Sequence, residues 1–316
     1  MQGQLVTVFG GSGFLGRYVV KELARQGARI RVAVRRPDEA LYLKPLGQVG
    51  QIVTVQANLR APASVAAAVA GADAVINLVG ILFEHGKQNF QAVHVAGAAL
   101  VAKAAREAGA KRLIHVSALG ADAASPAAYA RSKAAGEAKV RENFPGATIL
   151  RPSVVFGAED RFFNLFAALA RISPVLPLIG GGATRFQPVY VGDVAAAIAA
   201  TLADLATAGQ TFELGGPDVY SFADILRIVV RATGRWCLLV PVPFALARLK
   251  GAFLQMLPVP PLTADQVQLL KRDNVASGAA PGLKELGIAP TPVEGVVEDY
   301  LIRFRRGGRR LAPRFG

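Results

Sequence analysis

Three side chains in the middle of the chain have the types and spacing to move a proton: Ser117, Tyr129 and Lys133. Tyr129 and Lys133 stand four residues apart in Tyr-Ala-Arg-Ser-Lys, which places them about one turn apart on one face of a helix. An ammonium beside a phenol favours the phenolate, so a tyrosine in that setting has a lowered pKa and can give or take a proton near neutral pH. Ser117 ends an apolar strand and has a hydroxyl to orient a carbonyl or alcohol next to that phenol. Alone, Tyr-x-x-x-Lys equally describes a half-buried aromatic with a lysine reaching to solvent. The elements upstream decide between the two.

The stretch Val6-Thr7-Val8-Phe9-Gly10-Gly11-Ser12-Gly13-Phe14-Leu15-Gly16 reads as a buried strand running through a glycine turn into an amphipathic helix over 17–26. Gly11, Gly13 and Gly16 match the dinucleotide pattern, in which one glycine makes the turn, one admits the pyrophosphate and one lets helix and strand pack closely. The anion then sits on free N–H groups of the helix start. Gly10, Gly13, Phe14, Leu15 and Gly16 are therefore the first cofactor-binding candidates. The second strand, 29–36, ends on Arg35 and Arg36, where an NAD site usually carries an acid. Arginine there suits a 2′-phosphate and favours NADP(H), while Asp38 just beyond keeps NAD(H) open.

A third strand over 52–55 leads to Asn58 and Leu59, placed to pass near an adenine. A short alanine-rich helix over 64–70 follows. A fourth strand over 74–80 ends on Val79 and Gly80, the glycine letting backbone approach the cofactor. A long helix over 89–108 and a fifth strand over 112–117 complete an alternation that predicts parallel strands with right-handed crossovers. The expected fold is α/β, a doubly wound parallel Rossmann sheet with a smaller C-terminal α/β substrate lobe. Ligands bind at the carboxyl ends of such strands, where Gly80 and Ser117 lie.

At 316 residues, 52% hydrophobic and 18% charged, the chain can bury a large core. Its longest apolar candidate, 65–83, is interrupted by Asp73, and no run reaches the roughly 18 residues of a spanning helix. The first residues lack the basic start and apolar stretch of a signal peptide, which predicts a cytoplasmic protein or one in a reducing compartment. A single cysteine, Cys237, excludes an intramolecular disulfide, and His85, His94 and His115 are too scattered for a metal motif. The net charge of +14 implies phosphates, anionic lipid or an acidic protein surface as company. Arg303, Arg305, Arg306, Arg309, Arg310 and Arg314 concentrate part of it near the C-terminus with no acid among them. No nucleic-acid module and no basic run interleaved with stacking aromatics is present, so nucleic acid is not an expected partner.

With glycine turn, strand-end serine and Tyr-x-x-x-Lys in this order, the chain resembles the extended and atypical short-chain dehydrogenase/reductases, a superfamily that includes the NAD-dependent epimerase/dehydratase-like proteins. The resemblance implies catalytic roles for Ser117, Tyr129 and Lys133, with Lys133 also on the nicotinamide ribose. It makes 147–157 the sixth strand and its turn, with Pro152, Ser153 and Val154 beside the nicotinamide, and 185–195 the return from the substrate lobe. Ser117-Ala118-Leu119-Gly120-Ala121, Glu159-Asp160-Arg161-Phe162-Phe163-Asn164 and Asp299-Tyr300-Leu301 look like one branch, the complex I accessory subunit 9 family. That branch implies an NADPH-holding accessory subunit beside other complex I subunits, near the membrane and the quinone entrance. Val93-His94-Val95-Ala96-Gly97 departs from the Val-Asn-Val-x-Gly of many extended enzymes, which puts a proton relay through this helix in doubt.

The resulting domain reading is a Rossmann part over 1–157, to which the chain returns around 185–205, and a smaller lobe over 158–184 and 206–316 with a basic tail. In that lobe prolines break long helices into short ones. The run 240–262 strings apolar residues around Arg248 and Lys250 and reads as either a buried lobe helix or an interfacial helix meeting lipid phosphates. Three functions stay open: an NADP(H)-binding accessory or assembly factor of complex I, an NADP-dependent oxidoreductase on a lipid- or quinone-related substrate, and a sugar-nucleotide epimerase or dehydratase.

Overall fold

The computed structural model describes residues 1–307; Arg309, Arg310 and Arg314 of the expected basic tail lie outside them. Following the chain, the elements are β1 (Leu5–Phe9), α1 (Phe14–Arg25), β2 (Arg29–Val34), β3 (Ile52–Gln56), α2 (Pro62–Val69), β4 (Ala74–Asn77), α3 (Ala98–Glu107), β5 (Arg112–Val116), α4 (Ala128–Asn143) and β6 (Thr148–Pro152). It then forms β7 (Val155–Phe156), α5 (Phe162–Ile172), β8 (Val175–Ile179), β9 (Arg185–Phe186) and β10 (Val189–Tyr190). After α6 (Val191–Ala203) and β11 (Thr211–Leu214) come β12 (Tyr220–Ser221), α7 (Phe222–Thr233), β13 (Leu238–Val242), α8 (Phe244–Leu254), α9 (Ala264–Leu269) and α10 (Glu294–Leu301).

Two compact units emerge. The first takes Met1–Pro152, Gly192–Leu214 and Ser277–Ala289; of these, 206–214 and 277–289 were expected in the smaller lobe, whereas 153–157 and 185–191, expected here, fall in the second unit. Its sheet has seven strands in the order β11-β6-β5-β4-β1-β2-β3, every pair parallel. The strand order reverses beside β1, the kind of switch point at which doubly wound sheets bind ligands. Strands buried on both faces need near-continuous apolar runs, and β4 and β5 are buried along their whole length. α3 lies down on the sheet with Ala98, Val101, Ala102, Ala104 and Ala105 buried, small side chains that permit close approach. Phe9, Val75, Leu113 and Ile149 fill that layer, each large apolar side chain stabilising by about 2 kcal/mol when removed from water.

The second unit, Ser153–Val191, Gly215–Ala276 and the described residues from Pro290, packs α5, α7 and α10 around Phe156, Phe163 and Phe222. Here two stretches that carried the family resemblance meet. The Tyr300 hydroxyl donates to Asp160 Oδ2 at 2.5 Å, while the same carboxylate accepts from the N–H groups of Gly157 and Asn164. Burial pushes the Asp160 carboxyl above its ordinary range, against these hydrogen bonds.

Two expectations need correction. The helix expected over 89–108 is interrupted: Gln91–Gly97 winds as a π-helix before α3 begins. The 240–262 run is not one helix, because its start pairs in parallel with β8 as β13 and Pro243 precedes α8. α8 buries only Ala247 and Gly251 and leaves Leu246, Leu249 and Phe253 exposed. No helix among the described residues is long and apolar enough to cross a membrane.

Candidate functional site

Parallel register brings the candidate residues to one edge of the first unit. Phe9 pairs with Ala33 on one side and Asn77 on the other, and Asn77 pairs with His115. The glycine turn, Arg35, the Leu78–Gly80 turn and Ser117 therefore all begin just past the same carboxyl edge.

At the turn, Gly10 is the residue in the left-handed region, at φ +78°. Gly11, named first among the fingerprint glycines, is instead buried with Val32 Cγ1 2.8 Å from where a Cβ would stand. The working spacing is thus Gly10, Gly13, Gly16. A Cβ on Gly16 would collide with the Gly10 carbonyl and lie 2.6 Å from the Gly11 backbone, so this glycine is what lets α1 rest on the turn. A Cβ on Gly13 would meet only the Gly10 carbonyl, at 3.3 Å. Gly13 also caps α1 without a side-chain hydrogen bond, which leaves the helix start for an anion. Phe14 meets Tyr18 edge to face at 6.1 Å, and Leu15 is half-buried beside it.

Arg35 and Arg36 are exposed beyond β2, Arg36 in an ion pair with Glu39 at 2.5 Å. Tyr42 was not picked out by sequence. Its hydroxyl donates to the Ser12 carbonyl at 2.6 Å, with the Arg17 guanidinium 5.3 Å over its ring, latching the segment after β2 onto the glycine turn. The Asn58 carboxamide is engaged locally, Oδ1 accepting from the Arg60 N–H at 3.1 Å, and Leu59 packs against Gly97.

At the end of β4, Asn77 Oδ1 accepts from the Val79 N–H at 3.1 Å, which orients its amide nitrogen toward His115 Nδ1 at 3.2 Å. His115 therefore carries its proton on Nε2, and burial together with the Lys133 charge pushes it down to about 3. Lys133 and His94 stand close to the Val79–Gly80 backbone. A Cβ on Gly80 would lie 3.4 Å from Lys133 Nζ and 3.6 Å from His94 Nε2.

Ser117, Tyr129 and Lys133 belong to this edge. Ser117 is 4% exposed; its N–H donates to the Leu150 carbonyl at 2.7 Å, but its buried hydroxyl oxygen has no partner among the described residues. Such an orphan is what a bound carbonyl or alcohol would satisfy. Lys133 Nζ lies 6.0 Å from the Tyr129 ring centroid and donates to the Val116 carbonyl at 3.3 Å. The expected lowering of the phenol is reversed here: burial pushes Tyr129 up to about 12. Burial likewise brings Lys133 down to about 8, opposed by Glu137 one turn on. Glu137, 2% exposed, is itself gripped by Arg151 through bonds of 2.9 and 2.7 Å.

The remaining candidates are split. Pro152 ends the first unit, its carbonyl accepting from the Leu119 N–H at 2.9 Å. Ser153 and Val154 open the second, where the Ser153 hydroxyl and the Val154 N–H both reach Asn274 Oδ1 at 2.7 and 3.1 Å. Among the described residues no group of histidine, cysteine and acidic side chains could hold a metal. The uncapped helix start, the open face of Gly13 and the orphaned Ser117 hydroxyl fit a dinucleotide.

The sequence pattern of the NAD dependent epimerase/dehydratase family matches residues 6–215. An Arabidopsis thaliana protein, NADH dehydrogenase (ubiquinone) 1 alpha subcomplex subunit 9, mitochondrial, is 39% identical over 100% of this chain and 81% of its own length. The NADH-ubiquinone oxidoreductase 40 kDa subunit, mitochondrial, of Neurospora crassa is 35% identical over 96% of this chain and 80% of its own. Among solved structures, an Escherichia coli NADPH-dependent quinone oxidoreductase complexed with NADPH superposes with a TM-score of 0.75, covering 94% of this chain and 99% of that one at 22% identity, a likeness of fold. The glycine turn, the strand-end serine and an end-to-end match at this identity place the chain in the NAD dependent epimerase/dehydratase family, in the branch of the alpha subcomplex subunit 9 proteins.

Proposed function

We propose that this protein is an NADP(H)-holding accessory subunit or assembly factor of the respiratory NADH:quinone oxidoreductase, complex I. The observation that carries the reading is the 39% identity to a subunit 9 protein along the whole of this chain. The site is consistent with holding a dinucleotide: the phenol is desolvated and pushed up to about 12, far from the poise of a tyrosine working at neutral pH. The orphaned Ser117 hydroxyl favours a second reading, an NADP-dependent oxidoreductase acting on a lipid- or quinone-related carbonyl or alcohol.

Tyr129→Phe separates the two. In membranes of cells lacking this protein, wild type and Tyr129→Phe, both first shown to bind NADPH, are expected to restore NADH-to-quinone electron transfer equally. Restoration by wild type alone would overturn the accessory role and make the phenol a working acid. For the cofactor itself, Arg35→Ala is expected to weaken NADPH binding about tenfold, the worth of one charge-assisted contact to the 2′-phosphate, and to leave NADH unchanged in a fluorescence titration. Equal losses for both would remove the NADP(H) assignment.

The same reading puts the protein in the cytoplasm, peripheral on the inner face of the membrane. α8 exposes Leu246, Leu249 and Phe253 beside Arg248 and Lys250, and the turns after it expose Met256 and Val259. Apolar side chains flanked by cations suit insertion among anionic headgroups. Phe253→Asp with Met256→Asp is expected to abolish flotation with anionic vesicles, and salt is expected to weaken flotation of the wild type. Flotation unchanged by both would reject this surface.

A further inference from the structure

His94 stands where many extended enzymes carry asparagine, and its surroundings give it a different task. It is 2% exposed, held by the π-wound turn over Gln91–Gly97, stacked on Phe90 at 5.3 Å and edge to face with Tyr129 at 5.5 Å. Widened turns of this kind occur often at functional sites. Its Nε2 lies 3.0 Å from the Ile81 backbone nitrogen, and that N–H can only donate, so Nε2 holds a lone pair. The proton of the neutral ring is then on Nδ1, 2.8 Å from Ser132 Oγ. The Ser132 hydroxyl in turn donates to the Tyr129 carbonyl at 2.7 Å. The hydrogen bonds run in one direction, from Ile81 through the imidazole and the serine to the first turn of α4.

We propose that His94 is a positioning residue: a neutral imidazole, protonated at Nδ1, that ties the Gly80–Ile81 turn beyond β4 to the Tyr129–Lys133 turn of α4 and itself transfers no proton. The role rests on reading this edge as the nicotinamide side of the cofactor site. Both ring nitrogens are used inside the protein, so neither is left to pass a proton onward. A second proton would set an N–H against the Ile81 N–H. Burial and the Lys133 charge act the same way, holding the ring down to about 3. The titratable groups facing it are Lys133 and Tyr129 on α4 and His115 on β5. The fit is tight from α4 as well, since a Cβ on Gly136 would collide with the His94 carbonyl.

The test is a set of variants read three ways. In protein labelled with nitrogen-15 histidine, the signal lost in His94→Phe is expected to be that of an Nδ1–H tautomer, unchanged between about pH 5 and about pH 8. An Nε2–H tautomer, or titration near the ordinary histidine range, would overturn the proposal. In His94→Phe the Ile81 amide loses its acceptor, so its hydrogen exchange is expected to quicken at least about tenfold. His94→Gln, whose carboxamide oxygen can accept the same N–H, is expected to restore protection. NADPH affinity is expected to fall about tenfold in His94→Phe and to recover in His94→Gln, as for loss and return of a buried hydrogen bond. Unchanged exchange and affinity in folded His94→Phe would overturn the latch. Should His94→Phe fail to fold, Ser132→Ala cuts only the far half: the expected result is weaker NADPH binding with Ile81 still protected, and full affinity would overturn the proposal. If wild type binds no NADPH, the cofactor reading fails while tautomer and exchange still decide the latch.

Discussion

Gly16→Val is expected to abolish NADPH binding and to yield a destabilised protein, whereas Gly13→Ala is expected to lose affinity and keep its stability. The difference follows from what each new side chain would meet. At Gly16 the backbone of Gly10 and Gly11 already occupies the space of a Cβ, so α1 would have to lift from the turn. Overpacking against backbone costs about 1–3 kcal/mol or more, and it displaces the helix start that receives the anion. At Gly13 a Cβ touches one carbonyl at 3.3 Å and otherwise stands on the open side, where the pyrophosphate is to lie. Affinity there is expected to fall about 100-fold, because a methyl group excludes close backbone approach. Thermal unfolding and an NADPH titration of both variants check this. A Gly13→Ala protein that binds like wild type would remove the phosphate from this turn; a Gly16→Val protein of full stability would mean that the helix does not rest there.

The same turn marks how far sequence could be read. Consecutive β-branched strands, a glycine turn at the exit of the first and alternating helices were enough for the parallel sheet, because each signal is local. What each of two adjacent glycines does is not local: Gly10 takes positive φ, while Gly11 must lack a side chain because Val32 on the next strand fills the place of its Cβ. Likewise the run 240–262 contains a strand because Leu238–Val242 finds β8 more than sixty residues earlier, and short apolar runs do not distinguish helix from strand by periodicity. Spacing placed a lysine one turn from a phenol, and the inference that it would acidify the phenol omitted burial, which decides the sign. The role of His94 was unreadable for a related reason: its partners Ile81 and Ser132 stand 13 and 38 residues away in sequence.

Lys133→Met is expected to move binding and stability in opposite directions. Lys133 is 6% exposed, and the Val116 carbonyl at 3.3 Å, the Tyr129 ring face at 6.0 Å and the more distant Glu137 charge offset the desolvation of its ammonium only in part. Its folded pKa, brought down to about 8, lies below that of the unfolded chain, so the folded state binds fewer protons between the two values. The burial penalty is therefore fully present below about pH 8 and fades as pH rises toward the unfolded lysine value near 10.4. An isosteric apolar chain removes the penalty, and Lys133→Met is expected to stabilise the cofactor-free protein at neutral pH by on the order of 2 kcal/mol. That gain should shrink as pH rises above about 8, since the wild-type amine is then neutral. NADPH binding should weaken about 10- to 100-fold in the same variant, the range for losing a charged hydrogen bond to the ribose hydroxyls. Wild-type affinity should itself decline as the ammonium deprotonates above about pH 8, while the variant's stays flat. A variant that is more stable yet binds NADPH as wild type does would leave Lys133 as a buried charge with no ligand to hold. One that loses both stability and affinity would mean that the ammonium, through Val116, is itself part of what keeps α4 on the sheet.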